Sequence, residues 1–228
     1  MGARERTNAM AVLCLCGITA GAGADIIYQT QSRSITAASS ANGGSLTATA
    51  PDFGPFIQTL VSSTTFNQQG GGTANNTGSS TIDCQLDPNS VRAAGHISGE
   101  GGTDEGGGDV FGEGSVRIDV TFQIDTATPF NLFALARPGT SLLEEFEIKL
   151  KNLDINSDVF ELDNTSPPEV VNFSGTLQPG NYRLRYIVET IITGPLQDNE
   201  FGLNFTVPAP GTAVLPLLAA AAMRRRRR

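Results

Sequence analysis

The chain has 228 residues, with 26 Gly, 12 Phe, no Trp and one His, and a formal net charge of −8. Residues 25–207, the body left between two distinctive ends, hold 8 basic against 22 acidic residues, a net charge of −14. Such a body repels nucleic acid, which is held by Lys and Arg on phosphate. With one His and one Cys it lacks the ligands for a zinc site, and with Cys84 alone it forms no internal disulfide.

At the N-terminus, Arg4 and Arg6 precede a mostly small or apolar run, Ala9 to Ala20. Ala22-Gly23-Ala24 follows with the A-x-A form of a leader cleavage site. The expectation is a removable signal peptide over 1–24, cut between Ala24 and Asp25. A lipoprotein leader is excluded, because Leu13 and Leu15, not small residues, precede Cys14 and Cys16.

From Asp25 onward the palette of Ser, Thr, Asn, Gly and β-branched residues suits strands and turns. Segments 25–50 and 56–66 are expected to hold Ser/Thr-rich strands. Gln68 to Ser80, polar and rich in Gly and Asn, reads as a loop, and so does the Gly-rich stretch Gly99 to Gly114. That second stretch carries Glu100, Asp104, Glu105, Asp109 and Glu113, oxygen ligands of the kind Ca²⁺ takes, although without a sustained calcium-repeat period. Cys84 is expected half-buried on a strand. His96 has Ser98 close by, but the surrounding Gly95-His96-Ile97-Ser98-Gly99 does not meet the G-x-S-x-G nucleophile pattern, and the two side chains are expected on opposite faces. No catalytic pair is singled out by spacing, so the chain is read as a non-enzyme.

The clearest strand is Val116, Ile118, Val120, Phe122 and Ile124, alternating with Arg117, Asp119, Thr121 and Gln123. Phe146, Ile148 and Leu150 repeat the pattern, as do Tyr182, Leu184, Tyr186 and Val188, and Phe201, Leu203, Phe205 and Val207. Turns are expected at Arg137-Pro138-Gly139, Ser166-Pro167-Pro168 and Gln178-Pro179-Gly180, the last inside a strand-turn-strand unit from Gly175 to Tyr182. Asp154-Ile155-Asn156-Ser157-Asp158 has D-x-N-x-D spacing and resembles the opening of an EF-hand or dockerin loop, with Asp154, Asn156 and Asp158 as the candidate Ca²⁺ ligands. Val159 and Thr165 stand where such a loop needs Gly and Glu, which favours an Asx turn between strands. Tyr182 and Tyr186 share a face with Leu184 and read as core rather than as a sugar platform. The expected fold is all-β: a single β-sandwich or jelly-roll-like domain over 25–206 with long Gly-rich loops.

The tail 207–228 opens with Val207, Pro208, Ala209 and Pro210, continues through an apolar run from Thr212 to Met223, and ends in Arg224, Arg225, Arg226, Arg227 and Arg228. Twelve residues of helix span about 18 Å, short of a bilayer core of roughly 30 Å, and Pro216 interrupts them. The arginines would be held on the cytoplasmic side. This three-part order resembles the PEP-CTERM sorting signal of bacterial exported proteins, with Ala209 where that family usually has Glu. The resemblance implies handling by export machinery, by signal peptidase and by an exosortase-like transpeptidase. It also implies transient inner-membrane attachment, a cell-surface or extracellular location, and an association with exopolysaccharide. The expected role is structural or adhesive; the alternative is a carbohydrate- or calcium-binding module.

Overall fold

The computed structural model describes residues 25–39, 44–67, 73–100, 111–137, 142–163, 170–193 and 197–208. These form twelve strands. In chain order they are β1 (Ile27–Ser39), β2 (Ser45–Thr49), β3 (Phe56–Asn67), β4 (Thr73–Asp87), β5 (Ser90–Glu100) and β6 (Phe111–Ile124). Then come β7 (Thr128–Arg137), β8 (Leu142–Asn152), β9 (Ser157–Asp163), β10 (Val170–Leu177), β11 (Gly180–Thr193) and β12 (Gln197–Thr206). The first sheet has the order β2-β1-β6-β11-β8-β9 and the second β10-β7-β12-β5-β4-β3, with every pairing antiparallel. Most connections change sheet, so this is a sandwich of interleaved jelly-roll character, not two meanders laid together.

Alternation decides which face is buried. Val116, Ile118, Val120, Phe122 and Ile124 on β6 point into the sandwich and are fully enclosed, as are Phe146, Ile148 and Leu150 on β8. Tyr182, Leu184 and Tyr186 on β11 are enclosed in the same way. Each such side chain contributes about 1.5–3 kcal/mol through removal of apolar surface from water. Rings join the sheets: Phe122 meets Phe205 at 5.4 Å, and Phe160 on β9 meets Phe173 on β10 at 4.7 Å. The Tyr186 hydroxyl donates across the sandwich to the Leu135 carbonyl at 3.1 Å.

At the corner where β1, β4 and β6 meet, the core changes character. Inward positions there are small or polar: Ala37, Ser39, Asn76, Ser80, Gly112 and Gly114. A Cβ on Gly78 would lie 2.2 Å from the Ala38 carbonyl oxygen of the opposite sheet, so the two backbones nearly touch. Hydroxyls replace apolar contact, with Ser39 Oγ 3.0 Å from Ser62 Oγ and Ser80 Oγ donating to the Thr36 carbonyl at 2.7 Å.

This corner corrects the loop reading of 68–80. Thr73 to Ser80 belongs to β4 and pairs with β3 from Asn67↔Thr73 onward. Gly99, Glu100 and Phe111 to Gly114 likewise lie in strands, while 101–110, with Asp104, Glu105 and Asp109, falls outside the described residues. Cys84 is not half-buried but fully enclosed. The unit 175–182 is a strand-turn-strand whose arms belong to different sheets, since β10 is in the second and β11 in the first. Gly180 takes φ +155°, and the Tyr182 hydroxyl donates back to the Gln178 carbonyl at 2.7 Å, pinning the crossover as a tyrosine corner does. The turns expected at Pro138 and Pro167 lie outside the described residues beyond Arg137 and Asp163.

Both boundaries of the domain hang on one hairpin turn. The Ile26 amide donates to the Pro88 carbonyl and the Val207 amide to the Asn89 carbonyl at 2.9 Å. Val207, read as the first residue of the tail motif, is 2 % exposed and is part of the core, whereas Pro208 is exposed. Ala209, Pro210, the five terminal arginines, Ala22 and Ala24 lie outside the described residues; Asp25 is described and exposed.

Candidate functional site

Five of the eight body cations sit on the outer face of the first sheet: Arg117 on β6, Lys149 and Lys151 on β8, and Arg183 and Arg185 on β11. Antiparallel register places carboxylates beside nearly all of them. Arg117 reaches Glu189 at 2.7 Å and Glu145 at 3.5 Å, and Arg185 reaches Glu147 at 3.3 Å. Arg183 grips Asp119 through Nε, at 2.8 Å, and through Nη2. Lys149 lies between Asp158 and Glu161, and the Glu161 contact raises its affinity for a proton. Exposed pairs of this kind each contribute about 0–1 kcal/mol. Two shallow grooves of ≈ 260 Å³ and ≈ 160 Å³ run among them, but their cations are already committed to protein carboxylates, Lys151 excepted.

The candidate calcium loop is the hairpin between β8 and β9. Asn156 is left-handed with φ 51°, as an Asx turn allows. Asp154 faces β11: its carboxylate accepts the Asn181 amide at 2.8 Å and the Asn181 side-chain amide at 2.8 Å, and these bonds lower its pKa. Asp158 instead faces Lys149 at 3.3 Å. Asp154 and Asp158 therefore serve different partners, and among the described residues no group of three His, Cys, Asp or Glu is gathered as a metal site.

His96 and Ser98 are two apart on β5 and therefore share the outer face, contrary to the expectation that they would oppose each other. Asp198 on β12 stands directly across from Ser98, and its Oδ1 lies 3.3 Å from His96 Nδ1. His96 and Asp198 are more than half exposed on an open sheet surface.

The outer face of the second sheet offers a different surface. Following the register across it, one row reads Asn172 on β10, Phe133 on β7, Asn204 on β12, Arg92 on β5 and Gln85 on β4. The next row, Val170, Leu135, Gly202, Ala94 and Asp83, is lower at its centre because Gly202 and Ala94 are small. The result is a shallow trough of ≈ 360 Å³ lined by Asp83, Gln85, Arg92, Ala94 and Asn204. Phe133, 38 % exposed, stands beside Asn204 in the register. Gln85 donates to Asp83 at 3.3 Å. Among the described residues Arg92 has no hydrogen-bond or ion-pair partner, so its guanidinium is uncommitted. The two rows together combine one apolar ring face with amides, the Asp83 carboxylate and an uncommitted guanidinium, groups that recognise vicinal hydroxyls and ring faces together. Phe133 does not stand out in the sequence as Trp or Tyr would, because its outward position is hidden inside the run Phe130-Asn131-Leu132-Phe133-Ala134-Leu135.

No family model and no curated protein matches the chain. Among solved structures, it is similar to the enzymatically active domain of bacteriophage CBA120 tailspike protein 4. That match has 13 % identity and a TM-score of 0.29, covering 66 % of this chain and only 19 % of that one. A family 35 carbohydrate-binding module from Clostridium thermocellum matches at 12 % identity and a TM-score of 0.23, covering 66 % and 96 % of the two chains. A structure of infectious bursal disease virus matches at 13 % identity and a TM-score of 0.26, covering 84 % and 59 %. Likeness at this level carries no functional argument; the β-sandwich architecture rests on the chain's own strands.

Proposed function

We propose that this is an exported domain of the cell surface or extracellular matrix, structural or adhesive in role, that holds glycan on the outer face of its second sheet and catalyses nothing. The observation that carries the glycan reading is the row Phe133, Asn204, Arg92 and Gln85 beside the trough. A ring face supplies stacking, the Asn204 and Gln85 amides supply donors and acceptors, and the Arg92 guanidinium, uncommitted among the described residues, can form bidentate hydrogen bonds. An open trough suits a long polymer passing over it better than a small molecule, which calls for a concave, enclosing pocket. The export reading is supported by the leader 1–24 and by the tail from Val207, through the PEP-CTERM resemblance. In it, signal peptidase and an exosortase-like transpeptidase process the ends, and exopolysaccharide is the matrix partner.

Native affinity electrophoresis in gels cast with matrix exopolysaccharide tests the binding. The wild-type chain is expected to be retarded, Phe133→Ala and Arg92→Ala to migrate freely, and Lys151→Ala on the other face to behave as wild type. Retardation that survives both trough substitutions, or no retardation of the wild type, overturns the assignment. Intact mass of the protein recovered from its envelope tests the export half: a chain still carrying Arg224 to Arg228 contradicts processing.

A further inference from the structure

Strand β3 closes one edge of the second sheet. It pairs with β4 over its full length, Phe56↔Cys84 to Asn67↔Thr73, and among the described residues its other side carries no strand. It is a twelve-residue edge with no Lys, Arg, Asp, Glu or Pro in it. Natural edges of this length are normally blunted by such residues, because a row of free amides and carbonyls is a template for another strand. Here the opposite holds over a wide region, since from Ser34 to Ile82 the only charged residue is Asp52. The outward-facing side chains of β3 include Ile57, 63 % exposed, and Val61, 56 % exposed.

What such an edge can receive is restricted by the rest of the surface. With 8 basic and 22 acidic residues, two copies of the body repel each other wherever charged faces meet. The charge-free flank is the place where that repulsion is weakest, and a β edge is self-complementary under a two-fold axis. We propose that two copies of this chain join through β3 in antiparallel register, making one continuous sheet across the pair. A two-fold at Val61 sets Val61 opposite its own copy, Ile57 opposite Thr65 and Thr59 opposite Ser63, so the uncharged outward row continues over the junction. Asp83 at the trough's edge stands across from Ile57, but Arg92, Asn204 and Phe133 lie two or more strands away from β3, so glycan binding and pairing are tested by different residues and different assays.

Sedimentation velocity on the full chain, over a concentration series, reads the association. The wild type is expected to form dimers, more strongly as salt screens the acidic bodies. Ile57→Lys with Val61→Lys puts like charges face to face across the axis and is expected to weaken association at least about tenfold. Val170→Lys, on the opposite edge strand β10, is expected to leave it unchanged. Hydrogen exchange of the wild type supplies a check that needs no substitution: amides of β3 should gain protection as concentration rises. A wild type that stays monomeric at about 100 µM overturns the proposal. So does association untouched by the β3 lysines, as would occur if the apolar tail drove it, or association abolished equally by Val170→Lys.

Discussion

Arg33 offers the sharpest test of how the two sheets are held together at their linking loop. Its guanidinium is buried with no carboxylate partner among the described residues, 1 % of the residue remaining exposed. Nε donates to Gln31 Oε1 at 3.1 Å, Nη2 to the carbonyls of Asp52 and Gly54, the latter at 2.8 Å, and Nη1 to the Cys84 carbonyl at a long 3.4 Å. The Phe56 ring lies 5.9 Å below. Residues 50–55 carry the chain from β2 in one sheet to β3 in the other, so Arg33 fastens the crossover. Three good charge-assisted bonds at about 2 kcal/mol each, with a cation–π contact of about 1 kcal/mol, oppose a desolvation cost of several kcal/mol. Arg33→Met, which keeps the stem's packing, should therefore lose about 3 kcal/mol. In urea, with a slope of about 2 kcal/mol/M, the midpoint falls by about 1.5 M. Emission from Tyr28, Tyr182 and Tyr186 follows the transition. Asp52→Asn should move the midpoint by less than about 0.3 M, because Arg33 takes the main-chain oxygen of Asp52 and not its carboxylate. A midpoint for Arg33→Met within about 0.5 M of wild type, or above it, would refute the argument and place this arginine among buried charges that hydrophobic replacement stabilises.

Gly78→Ala drives a Cβ against the Ala38 and Glu113 carbonyls of the opposing sheet and should cost about 1–3 kcal/mol in the same urea assay, with near-wild-type stability as the contrary result. Burial holds the Cys84 thiol above its usual pKa, although Arg33 pulls it back, so in a chain with Cys14→Ser and Cys16→Ser it should label with Ellman's reagent at least about a hundredfold more slowly when native than in urea. Glu147 is held above the usual carboxylate range chiefly by desolvation, with Arg185 opposing. Between its unfolded and folded pKa the native state therefore binds more protons, and its contribution to stability is fully present below the unfolded pKa and is lost as pH rises through the folded one. Glu147→Gln should flatten that decline just above the ordinary glutamate range; an unchanged slope of melting temperature against pH would contradict the assignment.

What the sequence makes legible follows from how far apart the sheets stand. Where large side chains fill the gap, as under β6, β8, β11 and β12, alternation is strict and the strands are evident from Val116 to Val207. At the corner of Gly78, Gly112 and Gly114 the sheets nearly touch, only small residues fit, and the periodic apolar signal disappears although the strands continue. That is why 73–80 reads as loop. The trough is hidden for a different reason: Phe133 becomes a surface residue only once Phe130-to-Arg137 is known to alternate inward at Leu132 and Ala134, and its neighbours Asn204 and Arg92 arrive from strands far away in the chain. The D-x-N-x-D spacing at 154–158 is visible in one dimension, but the partners Asn181 and Lys149 that claim its carboxylates are not.

The hairpin turn at Pro88 and Asn89 has a mechanical consequence. Because it receives the amides of both Ile26 and Val207, the entry and exit of the domain emerge side by side. A pull applied at Val207 along the direction of β12 would reach the end of that strand, where Thr206 pairs with Ser90, and would load the ladder as shear borne by many bonds at once. A domain hung from that point keeps its strand directions aligned with the tether and leaves both broad faces free to meet whatever surrounds it.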